Sequence, residues 1–160
     1  MTEKDLKQVL SWRNDPKIRR YMYSQNEISD DEHARWFSRV SQDSKRHLLI
    51  FEVEGSAKGF FHIHQIASGG IAKWGFYAAP DAPKGTGRKL GEAALRYAFQ
   101  TIRLHKLCGE ALAFNERSIH LHLLLKFKQE GVLYQHHFDG QQYHDVVCFG
   151  LLASEWHQAK

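Results

Sequence analysis

Apolar residues Leu6, Val9 and Leu10, with Trp12 beside them, recur at helical spacing. They predict a helix over 6–14. Asp15-Pro16 ends or bends it, because the residue before a proline is pushed away from helical backbone. Ser29-Asp30-Asp31-Glu32 is a capping box and opens a second helix through Trp36, Phe37 and Val40. β-Prone apolar runs follow at 47–53 and 58–66, split by the turn Glu54-Gly55-Ser56. A third, at 72–77, comes after Ser68-Gly69-Gly70 and stops at Ala79-Pro80-Asp81-Ala82-Pro83. Gly85-Thr86-Gly87 leads into a helix with Leu90, Ala94, Leu95, Ala98, Phe99 and Ile102 on one face. Residues 107–113 read as a short strand, and Asn115 is placed to cap a helix through Ile119, Leu121 and Leu125. Gln129-Glu130-Gly131 reads as a turn. Residues 132–138 and 143–152 then pair as a hairpin through Asp139-Gly140.

Helix, helix, three strands, helix, strand, helix, two strands is the order of an α+β domain with a mixed sheet. At 160 residues, one domain spanning 1–160 is expected. Nothing before Asp5 forms an opening strand. Either the sheet begins one strand short or its first strand lies upstream of residue 1. A short sheet exposes an edge, so a homodimer through the C-terminal strands is expected.

Composition narrows the function class. Hydrophobic residues make up 42% and charged residues 25%, an ordinary globular profile, and no apolar stretch is long enough to span a bilayer. The polar start Met1-Thr2-Glu3-Lys4-Asp5 does not read as a secretion signal, and Cys108 and Cys148 read as free thiols in strands. A cytoplasmic protein without a membrane partner is expected. The net charge of +4 suits an anionic ligand, while no dense basic run points to nucleic acid. The eleven histidines are scattered, and no Cys/His spacing resembles a zinc site.

Lys84-Gly85-Thr86-Gly87-Arg88 is the sharpest chemical signal. A glycine turn at a helix start offers free backbone N–H groups at the positive end of the helix dipole. Glycine lets the backbone approach a phosphate closely, and Lys84, Arg88 and Lys89 add charge at the same mouth. Alone, a short Gly-x-Gly is as often only a helix entry.

The elements from Trp74 to Phe127 resemble the GNAT superfamily of N-acetyltransferases. Asn115-Glu116-Arg117-Ser118-Ile119-His120-Leu121-His122, followed by Phe127 and Gly131, is similar to that superfamily's Asn-x-x-Ala-x-x-Leu-Tyr…Gly-Phe signature. His122 stands where tyrosine is usual, Lys126 where glycine is usual, and Ala82 where Gln or Arg is usual. Trp12-Arg13-Asn14-Asp15-Pro16, Met22-Tyr23-Ser24, Ile28-Ser29 and His33 narrow the likeness. They resemble the acetyltransferases of bacterial pseudaminic acid synthesis. The C-terminal Glu130–His137 and Tyr143–Val146 fit both that group and the ribosomal-protein acetyltransferases.

The resemblance implies a mixed, mostly antiparallel sheet with a splayed strand pair, flanking helices and acetyl-CoA as cosubstrate. It implies a cofactor site at Lys84, Gly85, Thr86, Gly87, Arg88 and Lys89 for the pyrophosphate, and at Asn115 for the pantetheine arm. Phe76, Tyr77 and Ala78 would supply backbone oxyanion donors. Glu110 would draw the amine proton and His122 protonate the leaving sulfur. The implied acceptor is the 4-amino group of a UDP-linked amino-dideoxy sugar, UDP-4-amino-4,6-dideoxy-N-acetyl-altrosamine, used in flagellin glycosylation. Arg13, Met22 and His33 would meet the nucleotide, and His64, Gln65 and Tyr77 the sugar. Each residue also has a plainer role: Glu110 as a salt-bridged strand carboxylate, His122 as a helix-surface histidine, and Arg13 paired to Asp15 or Glu32. A peptide N-terminus is the rival acceptor, and a catalytically weak coenzyme A- or nucleotide-sugar-binding module is the rival outside the enzymes.

Overall fold

The computed structural model describes residues 1–158. A short 3-10 turn over Glu3–Asp5 precedes α1 (Leu6–Asn14), α2 (Pro16–Arg19) and α3 (Asp30–Val40). Asp15 separates the first two: its extended backbone ends α1, and its side chain accepts from Lys17 N–H at 2.8 Å, capping α2 with proline at the first position. The capping box of α3 is formed as the sequence predicts. Ser29 Oγ accepts from Glu32 N–H at 3.2 Å, and Glu32 Oε2 accepts from Ser29 N–H at 2.9 Å.

The strands are β1 (Arg46–Val53), β2 (Ser56–Ala67), β3 (Ile71–Ala78), β4 (Lys106–Leu112), β5 (Lys128–Phe138) and β6 (Tyr143–Leu152). α4 (Thr86–Arg96) and a π turn (Tyr97–Thr101) join β3 to β4, and α5 (Glu116–Leu124) joins β4 to β5. A last helix, α6 (Ala153–Gln158), and the short α2 have no counterpart in the periodicity. The six strands form one sheet in the order β1-β2-β3-β4-β6-β5. All neighbours are antiparallel except β3 and β4.

That parallel pair positions everything that follows. It holds for only three register pairs, ending at Lys73–Cys108. Beyond it, β3 continues to Ala78 on β2, and β4 continues to Leu112 on β6, with no ladder between them. The sheet therefore opens as a wedge between two strands that are each held firmly on their outer side.

Side-chain alternation divides the faces. Phe61, Ile63, Trp74, Leu107, Ala111 and Phe149 point one way, where Leu90, Ala94, Leu95 and Ala98 of the α4 segment complete the larger core. The other face carries Phe60, Tyr77, Leu48 and Ile50, which pack with Val9, Trp12 and Trp36 of α1 and α3. Cys108 and Glu110 alternate with the core residues Leu107 and Ala111, so they face the α1–α3 side.

Gln129-Glu130-Gly131 is not a turn. β5 runs through it with a register shift between Gln129 and Gly131. Glu130 reaches Lys106 Nζ at 2.6 Å, over Gly150, where any larger residue would meet its carboxylate. This partnership is long-range and has no local sequence signal.

Residues 1–5 form no strand, as expected from the sequence. β1 is a free edge, and the Met1 ammonium donates to its Leu48 carbonyl at 3.0 Å. A groove of about 450 Å³ follows this edge, lined by Met1, Asp5, His47 and Tyr97 among others. It lies two strands away from the wedge. β5 is the opposite edge and is exposed along nearly its whole length.

Candidate active site at the strand opening

The wedge exposes backbone. Ala79 N–H donates to Lys58 O at 2.8 Å across to β2. Alternation along β3 then sends the Tyr77 N–H toward β2 as well, and turns those of Phe76 and Ala78 into the opening. Of the three oxyanion donors expected from the sequence, the geometry leaves two. At the same end of β3, Gly85 takes φ 90° as the N-cap of α4, with open space where a Cβ would stand. The Thr86 N–H and hydroxyl are both taken by Pro83 O, and the Lys89 N–H by Gly85 O. The intervening N–H groups of Gly87 and Arg88 lack carbonyls four residues back within the helix, as at any helix start. Lys84, Arg88 and Lys89 are exposed around this turn, with Arg88 paired to Glu92. Thr86 is buried and turned inward, so its side chain is structural.

Glu110 stands on the β4 arm of the wedge. Its Oε1 accepts from Lys73 Nζ at 2.7 Å and its Oε2 from the Tyr23 hydroxyl at 2.6 Å. Burial pushes its carboxyl up, but the hydrogen bonds from Lys73 and Tyr23 and the Lys73 charge outweigh that and hold it below the usual carboxylate range. It is a charged carboxylate at the opening, and it is also the salt-bridged strand residue of the plainer reading.

His122 is the main departure from the sequence reading. It is neither on the helix surface nor open to the wedge: it is 1% exposed. Its ring stacks on Phe149 at 4.6 Å and meets Phe76, Trp74 and Phe127 edge-on or tilted. Trp74 Nε1–H donates to His122 Nε2 at 3.2 Å, which leaves Nδ1 to carry the proton donated to Ser118 O at 2.7 Å. Burial depresses its pKa to about 4, only partly opposed by the Ser118 bond. A neutral ring with both nitrogens engaged has no proton for a thiolate. The structure gives His122 a core role, and Trp74 is sheet packing as well. Asn115 caps α5, its Oδ1 accepting from Ser118 N–H at 3.2 Å, which leaves its amide nitrogen free for a second partner.

The acceptor-side residues gather on the α1–α3 face, with one exception. Arg13 is paired with neither Asp15 nor Glu32, both of which cap helices. Its Nη2 donates to Ser24 O at 2.6 Å, and its Nη1 is buried with no hydrogen-bond partner. Burial pulls the guanidinium pKa down, and the neighbouring Tyr77 partly offsets this. The Tyr77 hydroxyl is pushed up by burial and drawn back by Arg13. His33 stacks on Trp36 at 5.2 Å and is kept neutral chiefly by burial. Met22 is half-buried at the end of the turn from Arg19. His64 pairs with Lys73 across β2 and β3 and so shares the Glu110 face. Gln65, its neighbour, pairs with the core residue Ala72 and faces the α4 side. The two cannot line one pocket.

Three residues here were given no site role from the sequence: Lys73, Tyr23 and His137. Tyr23 packs on His137 at 4.8 Å, and His137 Nε2 is buried without a partner. Lys73 was findable, because it alternates with core positions on a strand beside Glu110's. Tyr23 meets Glu110 across 87 residues, which no local pattern encodes.

Residues 1–128 match the acetyltransferase (GNAT) domain family. The acetyltransferase PseH of Campylobacter jejuni is 28% identical over 123 residues, 76% of each chain. The spermidine N(1)-acetyltransferase of Vibrio cholerae is 24% identical over 155 residues, 95% of this chain and 90% of its own. The crystal structure of the Vibrio cholerae spermidine N-acetyltransferase in complex with CoA and spermine superimposes with a TM-score of 0.90. It is 24% identical, covering 98% of this chain and 95% of that one.

Proposed function

The chain belongs to the acetyltransferase (GNAT) domain family, and from that premise we propose that it transfers the acetyl group of acetyl-CoA to the 4-amino group of a UDP-linked amino-dideoxy sugar. The donor pyrophosphate sits on the turn at Gly85–Arg88, with Lys84, Arg88 and Lys89 around it, and the pantetheine arm runs past Asn115 into the wedge. The Phe76 and Ala78 N–H groups stabilise the oxyanion as the amine attacks the thioester carbon. Glu110 receives the amine proton, through water or directly, the C–S bond breaks, and the thiolate takes its proton from water in the cleft. Holding both substrates in one wedge supplies much of the acceleration and needs no covalent enzyme intermediate.

One observation carries the acceptor: Arg13 keeps a buried, unpartnered guanidinium nitrogen beside Tyr77. A buried donor on a cation is costly to leave unmade, and an acceptor diphosphate satisfies it with a charge-assisted bond. The likeness to PseH supports the same substrate class. The likeness to spermidine acetyltransferases favours a second reading, a polyamine acceptor. Against that reading, Glu110 is already paired by Lys73, and Arg13 would repel a polycation. Incubation with acetyl-CoA and each acceptor in turn, following free thiol, separates them. Release with the nucleotide sugar supports the proposal. Release only with spermidine or a peptide N-terminus redirects it, and coenzyme A binding without release leaves a binding module. The exposed apolar β5 edge further suggests that two copies meet there.

A further inference from the structure

The last β3–β4 pair sets Lys73 and Glu110 against one another. Lys73 is the register partner of Cys108, and Glu110 follows two residues later on the same face. One stands on each arm of the wedge, and the 2.7 Å ion pair spans it where the strands part. Other groups face this carboxylate from every packed element. Tyr23 reaches it from the α2–α3 connection, Cys148 is its register partner on β6, and His136 lies near it on β5. Cys108 precedes it on β4, and His64 pairs with Lys73 on β2. Both thiols are pushed up by burial and stay uncharged at neutral pH. Lys73 is the cation in direct contact. Left alone, a carboxylate this sheltered drifts toward its neutral form, which cannot take a proton.

We propose that Lys73 is a positioning residue for the transfer: it holds Glu110 ionised and turned across the opening, ready for the acceptor's proton. This rests on the reading of Glu110 as the base. When the amine nitrogen gives its proton to Glu110, the carboxylate becomes a neutral acid and its ion pair with Lys73 is lost. That loss drives the proton on to water and restores the pair. Lys73 neither gains nor loses a proton in the cycle, and its ammonium donates to the Glu110 carboxylate.

The test is kcat/KM against pH for the wild type, Lys73→Met, Lys73→Arg and Glu110→Gln, each with its melting temperature. Activity that needs ionised Glu110 falls as pH drops through its pKa. Removing Lys73 raises that pKa, so the acid limb of Lys73→Met moves up by about 1 pH unit or more. Lys73→Arg keeps the charge and keeps the limb near its wild-type position. If Lys73→Met does not fold, Lys73→Gln gives the same readout. A drop in activity that is even at every pH, with the limb unmoved, overturns the role of Lys73 while the base stands. Glu110→Gln with full activity and an unchanged limb overturns the base, and the role of Lys73 with it.

Discussion

Both nitrogens of His122 are engaged inside an aromatic box, and this has a consequence in acid. Its folded pKa of about 4 lies below the ordinary value of 6.5, and the partly buried His62 of β2 behaves alike. A group whose folded value is depressed binds fewer protons in the native state. Its stabilising contribution is therefore complete above about pH 6.5 and is lost as pH falls through 4. Calorimetry should show the melting temperature dropping across that window, and less steeply in His122→Gln, which keeps an acceptor for Trp74. A flat profile would contradict the buried, neutral assignment. His122 also marks what single residues reveal in sequence. The motif located its helix correctly, but which way the ring turns depends on Trp74 and Phe149, from strands 48 and 27 positions away. Arg13 and Tyr77 were nameable from the chain, and their meeting became visible only once α1 lay over β3.

At the scale of elements, the signals that local chemistry writes were legible. The capping box of α3, the helix stop at Asp15-Pro16, the cap at Asn115, the glycine entry to α4 and the Asp139-Gly140 hairpin all form. What failed was set by pairing at a distance: the bulge at Gln129–Gly131. The wedge was expected from the family resemblance and from no local pattern, because it arises where two strands are claimed by different neighbours. Lys126 illustrates a conflict between the levels. It closes α5 with φ 70°, its N–H donating to Leu123 O and the Phe127 N–H to His122 O, the position where left-handed backbone favours glycine. Lys126→Gly should therefore raise stability by about 0.5–1 kcal/mol in denaturant unfolding. A loss of stability would show that the lysine side chain contributes more than its backbone costs.

For the whole molecule, two free edges flank one sheet. β5 shows Val132, Leu133, Tyr134 and Phe138 to solvent, with Tyr143 beside them on β6. An edge strand with so much apolar surface invites pairing. Solution scattering should give twice the 18.6 kDa chain mass at micromolar concentration, and Leu133→Glu should shift it toward the monomer. A monodisperse monomer from the unaltered chain would contradict this.

In the proposed transfer the wedge, the glycine turn and the Lys73–Glu110 pair serve donor and amine, and within the site Arg13 is the residue that speaks for an anionic acceptor. The central claim is therefore tested by the ratio of kcat/KM for the UDP-amino sugar to that for spermidine, in the wild type and in Arg13→Met. The account predicts a ratio well above one, falling about 10- to 100-fold in the variant because only the sugar loses a charge-assisted bond. A ratio below one that Arg13→Met leaves unchanged would contradict it.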